Sequence, residues 1–406
     1  MPHKRLDQIL ASTLEAKRAA GTLKGAEQVI TAVIPPREGR GPRYRLAGHG
    51  QQDFLRMNSN NYLGLSFIEE VINAEEKASR KFGTGPGAVR FISGTWSPHI
   101  DLEHTLAAFH GREAAMIFSS AYATMMGLLP SLVSEATAII SDELNHSCII
   151  NAMALARPAE KHVYAHLDMG QLEAKLVAAH ARCRRAIVVT DGIFSMRGDH
   201  APLERIMALA HKHDATFAEN ILVVVDDSHG VGAFGLNGRG TEEYCANTHA
   251  DILVGTLGKA FGVNGGYLVA STTIVDYLRE SSPFYIYSNP ITPGEAAAAR
   301  MSLDIVDSPR GRALLARLRA NTARFEQGLL DLGLETILGE HPVVPLMIRD
   351  TEKTAALVTH LRQRGVLATG LNYPVVPKGA EEIRFQMCAD HTPADIDQAL
   401  EVLREF

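Results

Sequence analysis

A lysine set among glycines stands at Thr256-Leu257-Gly258-Lys259-Ala260-Phe261-Gly262, directly after the apolar run Asp251–Gly255. Such an amine can act as a base or bond a carbonyl carbon. It does not belong to a nucleotide loop. The pattern GxxxxGK[ST] requires Gly where Leu253 stands and Ser or Thr where Ala260 stands, and GLNGRG (Gly235–Gly240) misses the GxGxxG spacing. Asp226-Asp227-Ser228-His229 follows the run Ile221–Val225. A carboxylate behind a buried strand is costly without a donor or cation. Capping a helix is one solution, and pairing with a cofactor cation is another. His146 ends the loop Ser141–His146 after the run Thr137–Ile140. It can stack on a planar ring or simply fill a polar loop. Asp191–Ser195 places small polar groups after Ala186–Thr190. Ser119-Ser120-Ala121-Tyr122, after Ala115–Phe118, opens a helix. Its first N–H groups can hold an anion such as phosphate, although an ordinary capped helix uses the same residues.

In an open parallel sheet, ligands bind beyond the C-terminal ends of the strands. These five loops therefore bring a lysine, an acid, a stacking histidine and phosphate donors to one sheet edge. That is the equipment of a pyridoxal 5'-phosphate (PLP) site. The lysine bonds the cofactor aldehyde. The aspartate keeps the ring nitrogen protonated, so that the ring draws electrons from a substrate α-carbon.

The elements that must position these groups are legible from periodicity. The apolar runs above, with Gly266–Ala270, are too short for helices and rich in β-branched residues, so they read as strands. Amphipathic stretches at Met169–Ala181 and Pro202–His213 lie between several of them. Strands alternating with helices predict an α/β fold with a mostly parallel sheet covered on both faces. Ser281–Pro293 is a break rich in Pro, Ser and Tyr, followed by a long helical pattern from Gly294 to Leu332. Beyond it, strand patterns at Pro342–Arg349 and Glu382–Met387 and helical ones at Thr351–Arg364 and Pro393–Glu405 predict a smaller α+β C-terminal domain. The first 60 residues read as an arm with a helix, then a strand pair around Tyr44–Leu46 and Phe54–Met57. The expected division is 1–60 as the arm, 61–293 as the cofactor domain and 294–406 as the C-terminal domain.

Composition excludes several classes. The 406 residues are 46% hydrophobic and 21% charged, ordinary for a globular chain, and the net charge of -6 argues against nucleic-acid binding through bulk positive charge. No run of about 18 apolar residues indicates a membrane span. The N-terminus has no signal-peptide core, which predicts a cytoplasmic protein. Cys148, Cys183, Cys245 and Cys388 are scattered without a CxxC and read as reduced core thiols. No clustered ligand set calls for a metal.

At this level the chain resembles the α-oxoamine synthases, fold-type I PLP enzymes that join an amino acid to an acyl-CoA. The resemblance runs from about Asn58 to the C-terminus. It rests on NNYLGL (Asn60–Leu65), GAVRFISGT (Gly87–Thr95), ISDELNHSCII (Ile140–Ile150), TDGIFSM (Thr190–Met196), VDDSHGVG (Val225–Gly232), GTLGKA (Gly255–Ala260) and IRFQM (Ile383–Met387). NGRGTEEYC (Asn237–Cys245) and YPVVPKG (Tyr373–Gly379) favour the 2-amino-3-ketobutyrate CoA ligase, or glycine C-acetyltransferase, branch.

The resemblance implies a seven-stranded sheet and a set of roles. Lys259 bonds the cofactor and moves the α-proton. Asp226 pairs with the ring nitrogen, His146 stacks on the ring, and His229 and Ser195 lie near its hydroxyl. Ala121 and Tyr122 bind phosphate through backbone N–H groups, with Thr256 adding a hydroxyl. Ser288 reaches the phosphate from the other subunit of an obligate homodimer with a shared active site. Asn61 and Arg384 hold the amino-acid carboxylate. The substrates implied are glycine and acetyl-CoA; the alternatives are 8-amino-7-oxononanoate, 5-aminolevulinate and sphingoid-base types. Arg90 and the lysine of YPVVPKG are expected to suit the phosphates of CoA. Met125, Arg197, a shortened loop after Lys259 and an insertion at Thr216–Asn220 depart from the branch pattern and bear on substrate choice.

Overall fold

The structure is a computed structural model. It describes residues 3–20, 22–23, 26–373 and 375–406, so Pro374 of the YPVVPKG segment lies outside the described residues. Seven strands form one sheet: β1 (Ala114–Phe118), β2 (Thr137–Asp142), β3 (Glu160–Tyr164), β4 (Arg185–Asp191), β5 (Ile221–Asp226), β6 (Ile252–Thr256) and β7 (Gly266–Ala270). Their order is β1-β7-β6-β5-β4-β2-β3. Neighbours from β3 to β6 are parallel. β7 runs antiparallel to both β6 and β1. The C-terminal ends of β1, β2, β4, β5 and β6 therefore share one edge, as the sequence reading required.

Successive side chains of a strand point to opposite faces, and the two faces bury separate clusters. Ile140, Val188, Val223 and Val225 pack with Leu172, Leu176 and Ile206 from the helices Met169–Ala179 and Leu203–His213. Ile139, Ile187, Val189, Val224 and Val254 pack with Leu128, Ile149 and Leu278 from the helices Ala121–Leu132, Ser147–Ala156 and Thr272–Ser281. Burial on both faces explains why these strands read as continuous apolar runs. β3 was not anticipated from its residues. It lies at the sheet edge, alternates half-buried Glu160, His162 and exposed Lys161, Val163, and carries the charges that protect an unpaired edge.

The chain divides into two units, Asn60–Thr322 with Gly339–Val343, and Met1–Ser59 with Ala323–Leu338 and Val344–Phe406. The first contains the seven-stranded sheet. In the second, Ile30–Ile34 pairs antiparallel with Arg43–Leu46, and Leu55–Arg56 pairs in parallel with Val366–Leu367. The expected partnership of Tyr44–Leu46 with Phe54–Met57 reduces to a single bridge, Tyr44 to Phe54. A buried ion pair, Arg43 to Asp395 at 2.5 Å, fastens the start of Arg43–Leu46 instead. The three-stranded sheet has the order Val343–Met347, Glu382–Gln386, Thr369–Leu371, with helices at Thr351–Gln363 and Pro393–Arg404. The long helical pattern after the break is two helices, Pro293–Val306 and Pro309–Asp331. Pro309 cannot donate within a helix interior and so opens the second one.

Candidate active site

A cavity of about 220 Å³ opens at the shared strand edge. Ala121, Tyr122, His146, Ser195, Asp226, His229, Thr256 and Lys259 all line it. Eight of the residues expected from sequence thus converge. Each is placed by the strand before it. Ser120 follows β1 and caps the helix Ala121–Leu132 by accepting from Ala123 N at 3.1 Å. The N–H groups of a first helical turn have no carbonyl partner inside the helix, so those of Ala121 and Tyr122 suit an anion. β7 abuts this turn closely: a Cβ on Gly266 would lie 2.1 Å from Ala121 N.

Lys259 lies on the connection between β6 and β7. Leu257 N donates to Gly265 O, Val263 N to Leu257 O and Gly262 N to Lys259 O, so the loop is closed on itself. The Thr256 hydroxyl donates to Gly265 O at 3.2 Å and accepts from Gly258 N at 3.1 Å, which ties it to the same loop.

Asp226 and Asp227 are told apart by direction. Asp226 ends β5 and lines the cavity, where Oδ1 accepts from Ser228 N at 3.2 Å and Oδ2 from the Cys148 thiol at 3.3 Å. Asp227 points away into a sealed site. It accepts from Thr241 N at 2.7 Å and Thr241 Oγ1 at 2.6 Å. A Cβ on Gly192, Gly230 or Gly240 would collide with it. Burial lifts its carboxyl to about 7 against those hydrogen bonds. Asp191, opposite Asp226 in the register, also lines the cavity. Burial and the neighbouring Asp226 charge raise its carboxyl well above the usual range, while the His146 N–H donates to it at 3.0 Å.

His146 is exposed and stands edge-on to Tyr122, with ring centroids 6.4 Å apart. Asn145 beneath it donates to Val189 O and accepts from Asp191 N, both at 2.8 Å, clamping this loop to β4. His229 Nδ1 is 2.8 Å from the hydroxyl of Tyr62, which is fully buried. Its carbonyl accepts from His341 Nε2 at 2.9 Å. Asn61 sits beside Tyr62, with its amide donating to Ser66 Oγ at 2.7 Å.

Other expected residues fall elsewhere. Ser288 is half-buried and does not line the cavity of this single chain. Arg384 lies on the strand Glu382–Gln386 of the second unit. Arg90 is a correction to the sequence reading. Its guanidinium is buried and bidentate to Glu103, at 3.1 Å for both bonds, and cannot serve a CoA phosphate. The branch departures also lie outside the cavity lining. Met125 is a fully buried core residue, and Arg197 pairs with Asp199 at 2.8 Å. Thr216–Asn220 precedes β5, at the opposite end of that strand from the site.

The cavity fits PLP. Helix N–H groups and a closed glycine loop at one end suit its phosphate. A buried carboxylate held by a thiol and a single amide suits its protonated ring nitrogen. Lys259, on the same glycine loop as Thr256, lines the cavity with them. Sequence reasoning placed the Asp191–Ser195 loop at the site without a role for Asp191 itself, and did not find Cys148 or Tyr62 as lining or supporting groups. Strand register carried a signal for Asp191, but Tyr62 meets His229 across 167 positions, and no local pattern announces that.

Residues 52–403 match the family model for aminotransferase class I and II. The chain is 40% identical over 348 residues to the 8-amino-7-oxononanoate synthase of Thermosipho melanesiensis, covering 86% of each chain. It is 39% identical over 397 residues to the 2-amino-3-ketobutyrate coenzyme A ligase of Escherichia coli, covering 97% of this chain and 95% of that one. A solved structure of a serine palmitoyltransferase variant from S. paucimobilis, with PLP and myriocin bound, superposes with a TM-score of 0.86 at 26% identity. That match covers 99% of this chain and 97% of the other.

Proposed function

We propose, for a chain that belongs to the α-oxoamine synthase family within the class I and II aminotransferases, that glycine and acetyl-CoA are its substrates and 2-amino-3-oxobutanoate and CoA its products. The family level needs no proposal. The chain is a fold-type I, PLP-dependent acyltransferase that condenses an amino acid with an acyl-CoA. The finer choice is carried by extent. At nearly equal identity, the E. coli ligase match covers 97% of this chain and the T. melanesiensis synthase match 86%. The reverse reaction, cleavage with CoA, uses the same groups.

Bound PLP supplies an electron sink at the amino-acid α-carbon. The chain's residues do the rest. Asp226 holds the proton at the ring nitrogen. The His146 ring covers one face, and His229 and Ser195 hold the ring hydroxyl. The first-turn N–H groups at Ala121 and Tyr122, with Thr256, take the phosphate. Ser288 of a second copy joins them, which makes the assembly a homodimer. Asn61 and Arg384 take the carboxylate, Arg384 as a planar fork. Lys259 Nζ removes the α-proton of glycine. The α-carbon then bonds to the thioester carbonyl carbon, the C–S bond breaks, and CoA leaves as thiolate and is protonated.

The test is initial-rate kinetics with glycine and acetyl-, propionyl-, succinyl-, pimeloyl- and palmitoyl-CoA. Acetyl-CoA is expected to give the highest kcat/KM. A long-chain or dicarboxylic thioester preferred by more than about tenfold, or ~1.4 kcal/mol of transition-state preference, overturns the acetyl assignment and leaves the family assignment standing.

A further inference from the structure

We propose that Cys148 is a positioning residue of this site, its backbone N–H fixing the tautomer of His146 and its thiol, set between the His146 imidazole and the Asp226 carboxylate, fixing the orientation of the carboxylate. The inference rests on the cavity being the PLP site and not on the choice of glycine or acetyl-CoA.

Cys148 is the second residue of the helix Ser147–Ala156, whose cap is the His146 side chain. The Cys148 backbone N–H donates to His146 Nδ1 at 3.2 Å. A backbone N–H can only donate, so Nδ1 carries a lone pair and the ring proton belongs on Nε2. The Cys148 Sγ is 3.0 Å from that same Nδ1 and 3.3 Å from Asp226 Oδ2. With Nδ1 unprotonated the ring nitrogen is an acceptor, as is the Asp226 Oδ2 that the thiol faces. A single S–H proton therefore serves two acceptors at once.

The side chain is held in place for this. Cys148 is 2% exposed and packs with Ile149, Ile187 and Val189 under the sheet face. Burial, reinforced by the Asp226 and Asp191 carboxylates, pushes the thiol up, so it remains S–H. The titratable groups lining the same cavity are Tyr122, His146, Asp191, Asp226, His229 and Lys259. A thiol is a weak donor. It fixes Oδ2, with Ser228 N fixing Oδ1, while leaving most of the carboxylate's negative charge for a cationic ring nitrogen. Beside the backbone N–H of the same residue it meets the Nδ1 edge of His146, which leaves the Nε2 edge to carry the ring proton.

The test uses the PLP-loaded enzyme. In the wild type, ¹⁵N resonances of His146 are expected to show Nδ1 unprotonated and Nε2 protonated near neutral pH. A protonated Nδ1 overturns the proposal, and this measurement needs no variant to fold. In Cys148→Ala, the pH midpoint of the cofactor's visible absorbance change is expected to shift by about 0.5 unit or more and the PLP Kd to rise about threefold or more. Cys148→Ser keeps a donor at the same place and is expected to restore the midpoint to within about 0.2 unit. If both variants keep the wild-type midpoint and Kd and lose only Tm, Cys148 merely packs, and the proposal fails while the PLP site stands. A wild type that shows no cofactor absorbance at all sinks both.

Discussion

Two adjacent aspartates stand at the end of the same strand in opposite environments, one lining the cavity and one sealed in the scaffold. Asp226 lines the cavity with its charge lightly compensated, whereas Asp227 is sealed behind three glycines and spends both oxygens on Thr241. Asp226→Asn removes the anion proposed to hold the ring-nitrogen proton. We expect kcat to fall by at least about 100-fold, ~2.7 kcal/mol, with PLP still bound in absorbance. Near-normal turnover would refute the role. Asp227→Asn is expected to lower Tm instead and to leave the cofactor spectrum in place. Lys259→Ala should abolish the borohydride-reducible bond to the cofactor as well as turnover. Mass mapping of that bond to another lysine would move the site. At this scale the convergence of these residues on one cavity was legible because residue type and position after a strand carry it. The supports were not. Tyr62 and His341 reach the site through contacts far apart in sequence, and Arg90 showed how a basic residue in a small-residue loop can be a buried partner of Glu103.

The elements that carry the site are themselves tied together at their C-terminal ends by one histidine. His166, two residues beyond β3, places Nδ1 3.0 Å from Asp142 Oδ1 at the end of β2 and Nε2 3.1 Å from Asp199 Oδ2 in the loop after β4. Its ring meets Phe194, beside Ser195, edge-on at 4.4 Å. Arg197, a departure from the branch pattern, completes the network at Asp199. Burial alone lowers the imidazole, but the hydrogen bonds and charges of Asp142 and Asp199 outweigh it and lift the group to about 9. The folded state thus holds this proton more tightly than an unfolded chain, whose histidine titrates near 6.5. The resulting stability is complete below about pH 6.5 and is lost as pH rises through 9. It amounts to at most on the order of 3 kcal/mol. His166→Gln is therefore expected to be less stable than wild type at pH 6, with the gap closing by pH 9.5. A gap in denaturant midpoint that stays constant with pH would contradict this account. The two core faces and six strands of this layer were readable from apolar runs, since strands buried on both sides announce themselves. β3 was not, because an edge strand lacks that signal, and Ile30–Ile34, the partner of Arg43–Leu46, was missed although its run is apolar, being almost wholly exposed in the fold.

For the whole molecule, the open matter is what completes the cavity. One chain brings together the groups proposed for the ring and most of those proposed for the phosphate, yet Ser288 lies apart from the lining. Near it in sequence, Tyr287 is 78% exposed, and Phe91 and Ile92 are 67% and 65% exposed. Their exposure is not a product of a loose loop. Arg90 anchors Arg90–Gly94 through Glu103, which Arg279 also grips at 2.9 Å, so Phe91 and Ile92 are held outward on a rigid base. These side chains would be covered if the homodimer proposed above formed on this side of the chain. The consequence is testable by complementation. Lys259→Ala chains lack the amine but keep Ser288. Ser288→Asp chains keep the amine but place a negative charge where phosphate is proposed to bind. Each homodimer should be nearly inactive. Random re-pairing of an equal mixture makes half of the dimers mixed, each with one intact site of two, so roughly a quarter of wild-type activity should return. Tagged chains and native mass spectrometry confirm the exchange independently. If mixed dimers form and no activity returns, Ser288 does not act across the interface. If the Ser288→Asp homodimer is fully active by itself, Ser288 has no place at the phosphate, and the proposed sharing of the site loses its only residue.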